Sequence, residues 1–195
     1  MWKLSLAIYQ WRDNVGERIV IVRYDPEWPG MFAKQGALLR DALGDTALRI
    51  DHIGSTSIPG MDAKPIIDVQ ISVAALDPMD PFRIPLESLG YVWRSNNPEL
   101  TKRYFREKPG QRRTHIHVRK AGSFSQQFPL LFRDYMRAHP EEVRPYAEMK
   151  YRLAKEYSED REGYTIAKGP FVWAVVRKAD QWAQEIGWDL GPSDA

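Results

Sequence analysis

The sequence predicts an α+β fold, a mixed sheet backed by helices with a C-terminal helical layer. Runs of β-branched and apolar residues, typical of strands, are concentrated before residue 120, and residues from 125 onward follow helical spacing. Strands first and helices last favour the α+β class over an alternating α/β one. With 195 residues and no evident linker or repeat, we expect an extension at 1–18, a single domain at 19–186 and a tail at 187–195.

The strands are predicted from β-branched runs and from alternation. They are expected at 19–23, 48–53, 65–73 and 114–119, with shorter pieces near 91–93 and 103–106. The run at 65–73 is mostly apolar, as in a central strand. Asp68 interrupts it, and a carboxylate there requires a cleft, a cation or a partner.

Prolines and glycines mark the expected helix boundaries. The first helix should begin in the turn at 25–29 and end at Gly44, and a short helix is expected at 85–89. Three long helices are predicted at 125–138, 141–157 and 160–186.

Composition excludes several classes of function. The absence of cysteine excludes disulfides, thiolate catalysis and cysteine-ligated zinc. No apolar run reaches the roughly 20 residues of a membrane span, and the N-terminus lacks a convincing signal peptide, so we expect a cytoplasmic protein without a membrane partner. A net charge of +2 gives little reason to predict nucleic-acid binding. Residues 101–120 nevertheless carry eight basic residues against one acid, which suits either a phosphate ligand or a solvated hairpin.

The most specific motif runs from His52 to Gly60 and is followed by residues 64–68. A Gly54–Ser55 turn after a strand lets backbone N–H groups and hydroxyls close on a phosphate, and Thr56 and Ser57 add two further hydroxyls. The next strand then presents Asp68, where a Mg²⁺ ion could bridge phosphate oxygens. Lys64, just before that strand, would add positive charge.

Further motifs complete a resemblance to a known family. Together with the two segments above, Arg103–Phe105, Thr114–Val118, Phe132–Tyr135, and Tyr164, Thr165 and Lys168 make residues 19–178 resemble the GrpB family. The resemblance implies a nucleotidyltransferase-like fold of the DNA polymerase beta type. No activity is established for that family in general. Related domains occur fused behind dephospho-coenzyme A kinase, where an accessory folding role has been suggested.

The active pattern of that superfamily is Gly-Ser, a strand bearing two alternate carboxylates, and a third carboxylate on a later strand. Gly54, Ser55 and Asp68 match it, but the second catalytic position is Gln70, whose neutral amide is a poor Mg²⁺ ligand. Asp51 could compensate, although alternation leaves its orientation open. The resemblance also implies Lys168 as a phosphate contact and Tyr164 as a base-stacking ring; the alternative for this pair is an exposed lysine that covers an aromatic ring. Arg103 is a further candidate phosphate contact.

His115 and His117 occupy the later strand and share one of its faces. Such a pair is either a hydrogen-bonding arrangement or, with Asp68 as a third ligand, a metal site. Imidazole favours Mn²⁺ or Zn²⁺, whereas the superfamily pattern implies Mg²⁺ or Mn²⁺.

Three hypotheses of function follow. The first is a nucleotidyltransferase-like protein that binds a nucleotide or other phosphate ligand at the Gly54–Ser55 turn and transfers a nucleotidyl group with a divalent cation. The second is a catalytically degenerate accessory or protein-partner module on the same fold. The third is a hydrolase in which a metal at Asp68, His115 and His117 activates water.

Overall fold

The computed structural model describes residues 18–195. Five strands form one mixed sheet in the order β1-β2-β5-β4-β3, in which β2 and β5 are parallel and the other neighbours are antiparallel. This sheet and its helices confirm the α+β class. The strands are β1 (Arg49–Ile53), β2 (Ile67–Val73), β3 (Tyr91–Trp93), β4 (Lys102–Glu107) and β5 (Thr114–Lys120). The helices are α1 (Trp28–Leu43), α2 (Asp80–Ser88), α3 (Phe124–Ala138), α4 (Val143–Glu156) and α5 (Arg161–Ile186).

One face of the sheet is apolar because alternate residues of each strand point to it. The odd-numbered residues of β2 from Ile67 to Val73 and their partners Ile116 and Val118 on β5 are buried there. Helices α1 and α2 cover this face with large side chains such as Trp28 and Phe82. This burial fixes the register of the strands, since a slip of one residue would expose the whole apolar set.

The opposite face is polar. The strand register places Asp68 beside His115, and His115 beside Arg106 of β4. Helices α3, α4 and α5 lie on this side and bury a second apolar cluster, which also includes Ile58 and Met61 from the segment after β1. Polar side chains therefore lie between the sheet and the helical layer, where charged groups need partners or a ligand.

Two predicted elements differ from the structure. The expected strand at 19–23 is wrong, because in this segment only Val22 pairs, through an isolated bridge to Ala63. A β-branched run forms a strand only where a neighbouring strand accepts it. The short helix expected at 85–89 is the longer α2, which begins five residues earlier and contains Pro85. The predicted extension at 1–18 lies, apart from Arg18, outside the described residues.

The chain after α5 returns to the sheet. Gly187, with a φ of 65°, ends the helix. Residues 193–195 then lie along the open edge of β1. The amide of Ile50 donates to the hydroxyl of Ser193 at 2.8 Å, that of His52 donates to the carboxylate of Asp194 at 2.9 Å, and Ala195 N–H donates to the Ile50 carbonyl at 3.1 Å. The predicted tail thus covers the edge of β1.

None of the helices in residues 18–195 is both long and apolar enough to cross a membrane.

Candidate functional site

A glycine turn links β1 to the site. Gly54 has a φ of 71°, which favours glycine, and a Cβ there would lie 2.6 Å from Oδ2 of Asp68. Glycine is therefore required for the turn to lie against this carboxylate. The hydroxyl of Thr56 donates to the Ile66 carbonyl at 3.0 Å, and that of Ser57 donates to the Gly54 carbonyl at 2.6 Å. These two hydroxyls thus stabilise the turn itself.

Asp68, His115 and His117 converge on the polar face of the sheet. Oδ1 of Asp68 lies 3.2 Å from Nδ1 of His115 and 3.4 Å from Nε2 of His117. One ligand atom from each residue lies within 4.8 Å of the other two. Two imidazole nitrogens and one carboxylate oxygen on adjacent strands fit a divalent transition metal with open positions toward the cavity.

The protonation states of this cluster suit a metal. Burial alone would raise the pKa of Asp68, but hydrogen bonds from His115 and His117 outweigh it and hold that pKa well below its usual range. Burial lowers the pKa of His117 to about 4 and also lowers the pKa of His115. An ionised carboxylate and neutral imidazoles are the forms that bind metals, and a cation would take the place of the hydrogens that the two nitrogens share with Asp68.

Tyr104 of β4 supports both histidines. Its ring centroid lies 5.6 Å from that of His115 and 5.1 Å from that of His117. The Lys102 ammonium lies 5.4 Å from the centroid of the same ring and forms a 2.6 Å ion pair with Glu99. Sequence reasoning missed Tyr104 and Lys102, because only the pairing of β4 with β5 places them beside the histidines.

A cavity of about 470 Å³ separates this cluster from the helical layer. Its walls come from the turn at 54–56, the segment at 63–66, the polar sheet face, Phe132 of α3, α4 and the first two turns of α5. Basic residues outnumber acidic ones in the lining: Lys64, Lys102, Arg106, Lys150, Arg161 and Lys168 against Asp68, Glu99 and Glu162. A concave surface with this excess of positive charge attracts polyanions.

Two lysines in the cavity are poorly solvated. Burial and the nearby Lys168 lower the pKa of Lys64 to about 7, and the same two causes lower that of Lys150 to about 7. The ammonium groups of Lys64 and Lys168 lie 4.7 and 5.2 Å from the ring centroid of Tyr164. Tyr164 is only 1% exposed, so it offers no open face for stacking a base and instead supports the two lysines.

Several predicted residues do not reach the cavity. Arg103 points to the other face of β4, where its guanidinium lies 2.7 Å from Asp77; Arg106 faces the cavity in its place. Gln70 is buried under α3 and donates to the Gln126 carbonyl at 2.9 Å. Ser57 does not line the cavity either.

Asp51 does not supply the missing carboxylate. It is fully buried, and the Arg49 guanidinium donates to its two oxygens at 2.8 and 3.1 Å. Nη1 of Arg133 lies 3.9 Å from it on the other side. Its charge is thus balanced by arginines at the β1 edge, away from the Asp68 cluster.

The fold and site together define an α+β protein whose polar sheet face joins a glycine turn, a carboxylate–histidine cluster and a cationic cavity. The chain belongs to the GrpB family, since the family described as "GrpB protein" matches residues 18–178. The match also covers every residue of the cavity wall.

Relatives agree with this membership. The UPF0157 protein PA4798 of Pseudomonas aeruginosa is 40% identical over 178 residues, 87% of this chain and 71% of the relative. A dephospho-CoA kinase of Mycobacterium leprae is 34% identical over 198 residues, and the chain spans only 48% of its length. The crystal structure of the conserved protein GrpB from Enterococcus faecalis matches with a TM-score of 0.76 and 28% identity, covering 84% of this chain and 99% of that one.

Proposed function

We propose that this protein binds a nucleotide or another phosphate-bearing small molecule in the cavity, with its phosphate beside a divalent cation held by Asp68, His115 and His117. The observation that carries the proposal is the convergence of a metal-ligating cluster and a lysine-rich wall in one cavity. Phosphate oxygens are ligands for such a cation and acceptors for ammonium groups.

The donor set favours Mn²⁺ or Zn²⁺ over Mg²⁺, because two of the three ligand atoms are imidazole nitrogens. A bound cation supplies Lewis acidity toward a phosphoryl oxygen or toward water. The chain itself neutralises and orients the ligand. Lys150 and Lys168 face it from α4 and α5. Lys64 faces it from the segment before β2, and Gly54 and Ser55 face it from the turn.

Transfer of a nucleotidyl group to an acceptor and hydrolysis of a phosphate ester are the two reactions that fit this arrangement. Catalysis in both depends mainly on positioning and on neutralising charge that develops on phosphoryl oxygens. The half-buried, ionised Asp68 and the surrounding lysines supply opposite charges across the cavity, so a phosphate would be held between a cation and ammonium donors.

The alternative is a catalytically degenerate accessory or partner-binding module, and two observations favour it. Gln70 occupies the position of the second carboxylate, and its side-chain amide donates a hydrogen bond to a carbonyl of α3. The outer nitrogens of the two histidines, Nε2 of His115 and Nδ1 of His117, are buried without a hydrogen-bond partner among residues 18–195. Metal-binding histidines normally make such a second bond, which orients the ring.

Thermal melts with each metal test the proposal. A cation at about 100 times its dissociation constant stabilises by about 2.7 kcal/mol, which for a chain of this size raises the Tm by about 5–10 °C. We expect Mn²⁺ and Zn²⁺ to give this shift, Mg²⁺ to give less, and Asp68→Asn to remove it. Asp80→Asn, which changes an exposed carboxylate on α2, is the matched control.

Calorimetry with ATP then tests the phosphate. The double variant Ser55→Ala with Lys64→Ala should weaken binding by about 2–4 kcal/mol, through loss of two charge-assisted contacts. A flat response to every metal in both the parent and Asp68→Asn would refute the metal site. Undetectable binding of any nucleotide by the parent would favour the partner-binding module.

A further inference from the structure

A second pocket of about 260 Å³ adjoins the main cavity. The second pocket and the main cavity share Lys64, Ile66 and Arg161. They therefore meet at the start of α5 and beside the segment just before β2. The lining of the second pocket consists of Arg18, Ile19, Val20, Lys64, Pro65, Ile66, Arg113 and Arg161.

Half of the residues that line the second pocket are basic and the other half are apolar. Four of its eight described residues are basic and none is acidic, in contrast to the main cavity, which also contains carboxylates. The pKa of Lys64 falls to about 7 first through burial and then through the positive charges of Lys168, Arg161 and Arg113. Glu107 balances part of this charge, since its carboxylate lies 3.1 Å from Nε of Arg113. A concave surface lined by several basic residues nevertheless attracts anions.

The backbone around this pocket is fixed. The amide of Ile19 donates to the Ser158 carbonyl at 2.7 Å, and Val22 and Ala63 exchange two hydrogen bonds of 2.9 and 3.0 Å. On the other side, Ile67 N–H donates to the Arg113 carbonyl at 3.2 Å. The segments that carry Arg18 and Arg113 are thus held by backbone hydrogen bonds next to the start of β2. A site that is already formed loses less entropy when a ligand binds.

We propose that the second pocket is a second anion subsite, and that the ligand carries two phosphate groups on separate parts of one small organic molecule. One phosphate would lie beside the Asp68 cluster and the other among Arg18, Lys64, Arg113 and Arg161. The apolar half of the lining suits the carbon skeleton next to the second phosphate, which a bare polyphosphate chain lacks. This inference rests on the proposed function, because it names the class of molecule that occupies the same site.

The first test follows inorganic phosphate by amide NMR on the full chain. Saturable shifts at Ile19 and Val20 report the second pocket, and shifts at Gly54 and Ser55 report the main cavity. We expect both sets. Arg18→Gln should abolish the shifts at Ile19 and Val20, which would locate phosphate in the second pocket. Arg23→Gln, at an exposed position of the same segment, is the control and should keep those shifts.

The second test compares ligands by calorimetry. Adenosine 3′,5′-bisphosphate should bind the parent at least about tenfold more tightly than 5′-AMP or tripolyphosphate, because only it places two phosphates on one organic skeleton. Arg18→Gln should weaken the bisphosphate about fivefold or more and leave 5′-AMP within about twofold.

The outcomes separate the two proposals. No saturable shift at Ile19 and Val20, or equal affinity for the three ligands, overturns the second subsite whatever happens in the main cavity. Shifts at Ile19 and Val20 without shifts at Gly54 and Ser55 support an anion subsite and overturn the proposed function of the main cavity. Tighter binding of tripolyphosphate than of the bisphosphate overturns the organic linker.

Discussion

Replacing Lys64 with methionine is expected to stabilise the free protein and to weaken its binding of anions. The lysine pKa falls from 10.5 to about 7 in the native state. At about 1.4 kcal/mol per pKa unit, keeping this side chain in the fold costs up to about 4 kcal/mol at pH 7. Loss of the contact with the Tyr164 ring returns about 0.5–2 kcal/mol. We therefore expect a net stabilisation of up to about 2–3.5 kcal/mol.

The sign of the pH dependence follows from which state binds the proton. Between pH 7 and 10.5 the unfolded chain keeps Lys64 protonated while the native state loses the proton, so the stability of the parent rises with pH. The advantage of Lys64→Met should be greatest below pH 7, shrink as the pH rises from 7 toward 10.5, and vanish above that.

Urea denaturation of the parent and Lys64→Met at pH 6, 7, 8 and 9 measures this difference, with sulfate calorimetry alongside. Sulfate affinity should fall about tenfold in the variant through loss of one charge-assisted contact. Lys155→Met, at an exposed position of α4, should change neither quantity. A destabilised Lys64→Met, or a stability difference that does not change from pH 6 to 9, would refute the reasoning that this ammonium is desolvated among like charges.

Three other outcomes are expected. Gly54→Ala should destabilise the fold by about 2–4 kcal/mol in urea titrations, because residue 54 has a positive φ and a methyl group there would clash with Asp68. Gly60→Ala should cost only about 1–2 kcal/mol, because Gly60 has a φ of 72° but no atom within 4 Å of its Cβ position. Equal costs for the two variants would contradict the close approach of Gly54 to Asp68. Asp194→Ala should lower the free energy of unfolding by about 1–3 kcal/mol, because the buried Arg133 of α3 loses an ion-pair partner at 2.8 Å. The control Asp189→Ala, at an exposed position, should cost less than about 0.5 kcal/mol. Above pH 8, sulfate binding by the parent should weaken by up to about tenfold per pH unit for each of the two cavity lysines with a pKa of about 7, Lys64 and Lys150, and should take up protons in calorimetry. A constant affinity would argue against their contact with the anion.

Local motifs were the part of the site that the sequence could predict. The Gly54–Ser55 turn and Asp68 follow from a strand–turn–strand pattern, and alternation alone places His115 and His117 on one face. Their convergence needed only that β2 and β5 be neighbours, which the structure shows.

The rest depended on long-range geometry. Arg103 and Arg106 differ by an odd number of positions, so only the true register of β4 decides which one faces the cavity. Lys150 looks like an ordinary residue of a surface helix. It is buried because α4 brings it to the Asp62 carbonyl, 88 positions away in the chain. The strand expected at 19–23 had suitable residues but no neighbouring strand, which no local pattern reveals.

The docking of residues 193–195 on β1 has a consequence for association between copies of the protein. A free sheet edge exposes backbone groups that can pair with another chain, and proteins cover such edges to avoid it. Here the covering segment fits closely, since a Cβ on Gly36 would lie 2.6 Å from the methyl of Ala195. Mild denaturant that releases this segment before the core unfolds would uncover β1 in an otherwise native molecule. Aggregation under those conditions should therefore start from the folded state and depend on protein concentration.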